Sequence, residues 1–308
     1  MRGSGRVFPF PEVILQDDHL LAVCKPAGIA THSPDRDLYW GLYEYFHWRN
    51  PDLPRLSVLH RLDRETSGVL LFAKSAAASR ELARQWESGL VLKRYLFATR
   101  RKPKKAAWKS ERAIKGQRAV TEFLARKKAG AFHLIEALPK TGRTHQIRIH
   151  AAASGSPVVG DREHGDPLDD WPLLLHAAEL RCRPPGAGGE IVLSAPLPET
   201  FAAGSAAEAW WLRAGLLRQA MTGDAQAVRW IHGAADGFAG QSVERFGDVW
   251  VLSNFADMGE DRLRGILEGR KLVVKRYLGE GRVENFGETA PVIVREHGLR
   301  FEVRFDEA

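Results

Sequence analysis

The sequence predicts an α+β fold for residues 1–203 and a separate small α/β unit for residues 204–308. Three observations carry this reading. Short β-rich runs recur through the first two hundred residues, and several are joined by hairpin-type turn signals. Only three helix-compatible stretches lie among them, at 37–49, 75–86 and 143–153. After Pro198 the texture changes: a small-residue run at 202–209 leads into a helical stretch at 208–221, then a new series of strands and glycine-rich turns. A length of 308 residues is consistent with two domains.

Taken in order, residues 13–15 and 20–23 are β-rich runs on either side of Gln16-Asp17-Asp18, a hairpin signal, and Lys25-Pro26-Ala27-Gly28 then turns the chain. Residues 37–49 are aromatic and helix-compatible, stopping before Pro51. Residues 69–73 read as a buried strand. Residues 75–86 are Ala-rich, with Ser75 placed to cap the start and Gly89 just past the end. Strands are expected at 92–99 and 119–124, and the alternation at 132–138 fits a half-buried strand. After the Thr141-Gly142 turn, residues 143–153 suit a short helix ending at Gly155, and 180–183 with 191–194 read as a closing hairpin. In the second unit, a strand at 228–232 is followed by a turn around Asp236-Gly237-Phe238 and a hairpin with Gly247-Asp248 at its tip. A helix at 261–268 and strands at 272–277 and 301–305 complete it. No internal repeat is visible.

Composition narrows the class. With 44% hydrophobic and 27% charged residues the chain reads as globular, and no apolar run approaches membrane-spanning length. The first eleven residues lack the apolar core of a signal peptide, and Cys24 and Cys182 show neither CxxC spacing nor a disulfide framework, so a cytoplasmic protein with reduced thiols is expected. A balance of 45 Lys+Arg against 38 Asp+Glu gives +7, compatible with a polyanionic partner. Twelve of the cations fall within residues 100–128, opposed only by Glu111 and Glu122, which makes this segment a candidate phosphate contact.

The most informative segment is 60–68, His60-Arg61-Leu62-Asp63-Arg64-Glu65-Thr66-Ser67-Gly68, followed at once by the apolar run 69–72. It sets Asp63 between two arginines, before a Ser-Gly turn and a buried strand. A carboxylate beside fixed positive charge stays ionised, and an ionised, positioned carboxylate can act as a nucleophile. The kinase reading of the same letters fails: Leu62 interrupts His-Arg-Asp, and Gly68 falls where a kinase loop needs Asn.

Four stretches resemble the RluA-type RNA pseudouridine synthases, in that family's order. Residues 18–28, ending Lys25-Pro26-Ala27-Gly28, are like its first motif, and residues 60–75 are like its catalytic motif. Lys93-Arg94-Tyr95 is like its Lys-x-Tyr strand. Residues 141–150, Thr-Gly-Arg-Thr-His-Gln-Ile-Arg-Ile-His, are like its third motif, extended by Gly160-Asp161 and Leu175-His176-Ala177. The resemblance covers about residues 12–200. It implies a mixed, largely antiparallel central sheet with flanking helices, an isomerase acting on uridine in RNA, and no cofactor or metal. Three departures stand out. His164 occupies a place where the family usually shows Tyr, Arg183-Pro184 replaces a usual His-Pro, and no small RNA-binding module precedes the catalytic region.

The chemistry requires uridine to leave its N1–C1′ bond, rotate and reattach through C5, with the base flipped out and held dry. The resemblance makes Asp63 the essential group, either adding to ribose C1′ or assisting glycal formation. It makes Arg148 the partner of Asp63, a role suited to a guanidinium fork that does not deprotonate. Tyr95 is the pocket tyrosine, placed to stack on uracil and to sit near the C5 proton. Arg61 either fills the gap left by the flipped base or binds phosphate. Arg143, Lys102, Lys104 and Lys105 are the further RNA-binding candidates. His60, His145 and His150 are expected in structural hydrogen bonds, since their spacing is not HExxH and no carboxylate completes a metal site along the chain.

Residues 229–248, from Arg229-Trp230-Ile231-His232-Gly233 to Phe246-Gly247-Asp248, resemble a different family, the small domain that precedes the catalytic domain in RlmI-type rRNA cytosine-5 methyltransferases. That likeness covers about 212–308. No Gly-rich loop after a strand and no Pro-Cys motif follows, so S-adenosylmethionine binding is not expected. The resulting expectation is a monomeric pseudouridine synthase acting on structured RNA, ribosomal favoured over transfer RNA. The alternatives are a non-catalytic RNA-binding protein, or a fragment of a bifunctional synthase/methyltransferase.

Overall fold

The computed structural model describes residues 11–33, 41–49, 53, 55–186, 188–222, 225–255, 261–278, 282–287, 290–296 and 299–305. These divide into two compact units that part between Gly204 and Ser205.

The first unit is built on one ten-stranded sheet. Its strands are β1 (Glu12–Gln16), β2 (Leu20–Lys25), β3 (Ser57–Val58), β4 (Ser67–Ala73), β5 (Leu92–Thr99), β6 (Ala107–Ser110), β7 (Thr121–Ala129), β8 (Phe132–Pro139), β9 (Leu175–Cys182) and β10 (Ile191–Ser194). The order across the sheet is β1-β2-β4-β9-β5-β8-β7-β6, with β3 beside β4 and β10 beside β9. Every pairing is antiparallel except β4 with β9, which runs parallel and matches only Ser67 with His176 and Gly68 with Ala177. The sheet is therefore mixed and largely antiparallel, as the resemblance implies.

Every residue of β4 is buried, which follows from its unbroken apolar run and its place between β2 and β9. At its start the backbones come very close. Gly68 has φ +115°, and a Cβ there would lie 2.2 Å from the Ala177 carbonyl oxygen. Only glycine fits, which explains the Ser-Gly of the catalytic motif.

Three helices flank the sheet: α1 (Leu42–Arg49), α2 (Ala76–Glu87) and α3 (Gln146–Ala153). The helix expected at 37–49 is present from Leu42, and residues 37–40 lie outside the described residues. In α2 the Ser75 hydroxyl accepts the Ala78 amide, as its sequence anticipated, and Leu82 and Ala78 pack on β4 and β9 residues.

Two strand readings need correction. The strand expected at 119–124 runs from Thr121 to Ala129, continuing through the exposed Arg126, Lys127 and Lys128. Pairing with β8 holds these polar residues in the strand although no apolar pattern marks them. β6 was not anticipated because it lies in the Lys/Arg-rich segment; it is an edge strand anchored by Trp108 stacked on Phe123, ring centroids 5.2 Å apart.

The second unit opens with α4 (Ala206–Thr222) and holds a five-stranded sheet in sequence order: β11 (Ala227–His232), β12 (Gln241–Phe246), β13 (Val249–Asn254), β14 (Lys271–Leu278) and β15 (Arg282–Gly287). β13 and β14 are parallel, connected through α5 (Asp261–Leu267), and the others pair antiparallel. Trp211 of α4 meets Trp230 and Trp250 of the sheet at 5.7 and 5.4 Å between ring centroids. A hairpin of β16 (Val292–Glu296) and β17 (Leu299–Val303) packs with Val249, Val251 and Val273, which alternate with the tryptophan-facing residues. Among the described residues no helix is long and apolar enough to cross a membrane.

Candidate active site

A pocket of about 970 Å³ opens in the first unit. It is lined by the loop after β3, the start of β5 and the turn that leads into α3. Asp63, Tyr95 and Arg148, distant in sequence, all line it, as do Arg61, Arg143 and Lys93.

The loop bearing Asp63 is clamped on both sides by the end of β2 and the turn and loop that follow it. Before Asp63, the Thr31 hydroxyl accepts the Leu62 amide and donates to the Leu62 carbonyl, both at 3.1 Å. After it, the Arg64 carbonyl accepts the Gly28 amide at 2.8 Å and the Lys25 ammonium at 3.0 Å. Lys25 is fully buried, and its Nζ also donates to the Pro26 and Ile29 carbonyls at 3.0 and 2.7 Å. A buried ammonium is tolerated only when its donors are met, and here three carbonyls meet them. The Asp63 carbonyl closes the turn by accepting the Thr66 amide. The Asp63 side chain is still 33% exposed, so a substrate atom can reach it.

Arg148 lies in the first turns of α3, which is fastened by side chains of its own motif. Gln146 Nε2 donates to the Val120 carbonyl and the Thr121 hydroxyl, and its Oε1 accepts from the Arg143 amide and the Thr141 hydroxyl. His150 Nε2 donates to the Arg112 carbonyl, so Nδ1 accepts from Thr121. Arg148 Nη1 sits 3.9 Å from Asp63 Oδ2. Its stronger partner is Asp161, which accepts Nη2 at 2.6 Å and Nε at 3.0 Å, and Glu163 accepts Nη2 at 3.1 Å. Burial opposes the charge of Arg148, but the hydrogen bond to Asp161 and the charges of Asp161, Asp63 and Glu163 outweigh it and push its pKa up. Burial likewise works against the Asp161 anion, yet Arg148 and the His164 amide hold its pKa below the ordinary carboxylate value.

Tyr95 stands on β5, paired with Ala137 and Ala177, half-buried. Burial, and then the Asp63 charge, push its phenol well above the usual range. A phenol so shifted can stack on a ring and donate a hydrogen bond. Burial draws the pKa of Lys93 down.

The histidines divide. His60 is half-buried at the pocket wall and structurally engaged: its Nε2 accepts the Leu71 amide, its ring stacks on Trp86, and burial lowers its pKa to about 3. His176 is similar. Its Nε2 donates to the Ala195 carbonyl, Nδ1 accepts from Ser67, and burial lowers it to about 4. His145 is not structural in this sense. It faces the pocket, with Nε2 4.0 Å from Asp63 Oδ1, and its backbone is left-handed at φ 52°. The expectation that no carboxylate completes a metal site needs correction, since the fold sets Glu163 and His164 beside His145.

Arg61 and Arg143 are exposed at the pocket, whereas Lys102, Lys104 and Lys105 are exposed on the loop between β5 and β6 and do not line it. Within the basic segment, Arg100 pairs with Asp169, Lys109 with Glu111 and Arg126 with Glu136. The sequence reading passed over Lys25, Thr31 and Asp161 as site residues. The available signals were a lysine closing the apolar run of β2 and a Gly160-Asp161 step after Val158-Val159.

A buried arginine shared among carboxylates thus lines an open pocket beside a part-exposed aspartate, and the comparisons with known proteins place the chain among RNA-modifying isomerases. Residues 19–153 match the family described as RNA pseudouridylate synthase, and the chain belongs to that family. It is 34% identical over 226 residues to the ribosomal large subunit pseudouridine synthase C of Escherichia coli (strain K12), covering 63% of this chain and 69% of that protein. It is 33% identical over 214 residues to the protein of the same name from Buchnera aphidicola, covering 61% and 68%. Among solved structures, human RNA pseudouridylate synthase domain containing 1 matches 64% of this chain and 86% of its own at 26% identity and a TM-score of 0.52. The family match falls within the first unit.

Proposed function

We propose that this pseudouridine synthase isomerises particular uridines of structured RNA, ribosomal in preference to transfer RNA, with Asp63 as its essential group. The observation that carries the reading is Asp63 on an immobilised loop, partly exposed in the pocket and 3.9 Å from an arginine fixed by other carboxylates.

In this reading a uridine flips into the pocket, at a cost of a few kcal/mol that is least for a bulged or unpaired base. Asp63 then either adds to C1′ as the N1–C1′ bond breaks or assists formation of a glycal. The freed uracil rotates against Tyr95 and bonds to C1′ through C5, as the Asp63–C1′ bond breaks on the first route or C2′ of the glycal regains its proton on the second. The C5 proton is lost and N1 regains one, so the step is redox-neutral. Arg148, anchored by Asp161, keeps the Asp63 side chain oriented and offsets its charge. Arg61 and Arg143 contact the RNA at the pocket mouth, and Lys102, Lys104 and Lys105 contact phosphates farther along it.

The ribosomal preference rests on the relatives being ribosomal large subunit pseudouridine synthases by name and on the resemblance of residues 212–308 to an rRNA-methylating family. Those residues serve as an RNA-binding or packing module without S-adenosylmethionine, and heat from titrating that compound into the full chain would contradict this. We take the protein to act as a cytoplasmic monomer, which light scattering tests for mass.

The decisive experiment is Asp63→Asn in a tritium-release assay on 5-tritiated uridine RNA. The variant should keep its fold and RNA binding and release no label. Pseudouridine formed by that variant refutes the assignment. No release by the parent chain, where a known synthase releases label, favours a non-catalytic binder. Mapping pseudouridine in a deletion strain tests the target, and loss confined to transfer RNA overturns the ribosomal preference.

A further inference from the structure

We propose that His145, Glu163 and His164 form a binding site for one divalent transition-metal ion, zinc by preference, and that its occupancy inhibits the isomerase. Binding stands on the local geometry; the inhibitory effect rests on the reading of Asp63 as the essential group.

The donor atoms already have the spacing of a coordination shell. His145 Nδ1 is 3.0 Å from His164 Nε2 and 3.3 Å from Glu163 Oε2, and His164 Nε2 is 3.4 Å from Glu163 Oε1. Ligand atoms about 2.05 Å from a tetrahedral zinc ion lie roughly 3.3 Å from one another. Two imidazoles and one carboxylate are also a recurrent three-ligand zinc set that leaves a fourth position for water. Imidazole nitrogens favour zinc, copper and nickel over magnesium or calcium.

Protons satisfy this cluster poorly. If one ring nitrogen donates to the other, neither has a second proton for Glu163, which is left with the Arg148 Nη2–H alone at 3.1 Å. If both carry protons and donate to Glu163, two N–H groups face each other at 3.0 Å. A single dication meets all three atoms at once. The ion pairs nearest the cluster set three carboxylates, Asp63, Asp161 and Glu163, against one guanidinium, that of Arg148, although Arg61, Lys93 and Arg143 also line the pocket.

The site is held in place without the metal. The Glu163 and His164 amides both donate to Asp161 Oδ1, at 3.2 and 3.1 Å, and Asp161 is fixed by Arg148. The left-handed backbone of His145 turns its ring toward them. Support of ligands by such surrounding groups is a common property of metal sites. Glu163 is exposed enough to admit an ion from solvent.

Occupancy reaches the pocket through His145. Coordination at Nδ1 leaves Nε2 bearing the proton, and Nε2 is 4.0 Å from Asp63 Oδ1. The bound ion's positive charge then reaches Asp63 through the ring at ion-pair distance, while Glu163 is drawn from Arg148. Both changes disturb the pair on which turnover depends.

The test uses the full chain stripped with a chelator and dialysed. Zinc is titrated in competition with a chromophoric chelator, and cobalt(II) is added separately to read its visible spectrum. One zinc per chain and the intense visible bands of four-coordinate cobalt are expected. His164→Tyr and Glu163→Gln should each weaken zinc binding on the order of 100-fold or more, beyond the loss typical of a supporting group, with thermal unfolding confirming that both remain folded. Absent cobalt bands, or stoichiometric zinc binding that survives in both variants, overturn the site. Tritium release is then compared with and without zinc in each protein. The parent should be slowed by zinc and restored by chelator, and His164→Tyr should show no zinc effect. Unchanged release by zinc-loaded parent overturns the inhibitory role alone. Absence of release by the metal-free parent overturns the reading of Asp63 instead and leaves the binding result intact.

Discussion

Replacing Asp161 by Asn tests how the site is held. The side chain is 1% exposed and accepts four hydrogen bonds: Nε and Nη2 of Arg148 and the amides of Glu163 and His164. Asn keeps the volume but removes the charge and turns one acceptor into a donor. If its oxygen keeps the Oδ1 position, its NH2 group faces the Arg148 Nε–H. Breaking one side of a buried pair costs about 3–5 kcal/mol, because the remaining charge is left uncompensated. For a unit of this size, each kcal/mol moves the midpoint by roughly 2–4 °C, so a drop of about 10 °C is expected. Hydrogen exchange of the α3 amides reads this unit separately from the second. The rate constant of tritium release should fall more than RNA affinity, since Arg148 loses its orientation beside Asp63. The pH dependence follows from the sign of the shift. The folded pKa of Asp161 lies below its unfolded value, so its stabilisation is present above about pH 4 and is lost as pH falls through the folded value. The Asn variant should lack that acid-side loss. A midpoint within 2 °C of the parent together with an unchanged rate would refute the argument.

Lys25→Met removes the ammonium that ties the Pro26, Ile29 and Arg64 carbonyls together; all three lose this donor, and Arg64 keeps its Gly28 amide, so the cost falls mainly on the other two. At about 1–3 kcal/mol each, less the relief of a buried charge, a net loss near 3 kcal/mol is expected in denaturant titration, and a stabilised variant contradicts the clamp. His60 and His176 have folded pKa values of about 3 and 4, below the unfolded 6.5, so the unfolded state binds more protons between these limits. Stability should therefore fall by up to about 1.4 kcal/mol per pH unit for each histidine as pH drops below 6.5, and a flat urea midpoint from pH 6.5 to 4.5 would exclude it. Neutralising Lys102, Lys104 and Lys105 together should weaken RNA binding across sequences and lower the salt slope by about 0.7 per contact on single strands; an unchanged slope moves the binding surface elsewhere.

Local signals announced much of the fold. The apolar run of β4, the capping Ser75 of α2 and the hairpin tip at Gly247-Asp248 are each specified within a few residues. β6 was hidden because an edge strand needs little apolar character and is held by Trp108 and the pairing of β7. Asp63, Tyr95 and Arg148 were legible through motif resemblance and do meet in one pocket. Their supports were not, because Lys25 and Thr31 act on carbonyls and amides about thirty to forty residues away. Such contacts leave no periodicity in a sequence. The His145–Glu163–His164 cluster was concealed for the same reason: its members are separated by 18 residues and come together through a turn organised by Asp161.

The single parallel pairing divides the large sheet into two antiparallel blocks. Strands β1 to β4 form one and β5 to β10 the other, and their backbones are joined across a seam of only two residue pairs, 67 with 176 and 68 with 177. Asp63 belongs to the first block, while Tyr95 and Arg148 belong to the second. The distance from the carboxylate to its partners is thus a property of how the blocks are aligned, not of either block. Anything that widens the seam separates the catalytic groups while leaving each block's own hydrogen bonds intact. If Asp63 is the essential group, heating should lower tritium release before the chain unfolds, and substitutions along the seam should lower it without weakening RNA binding.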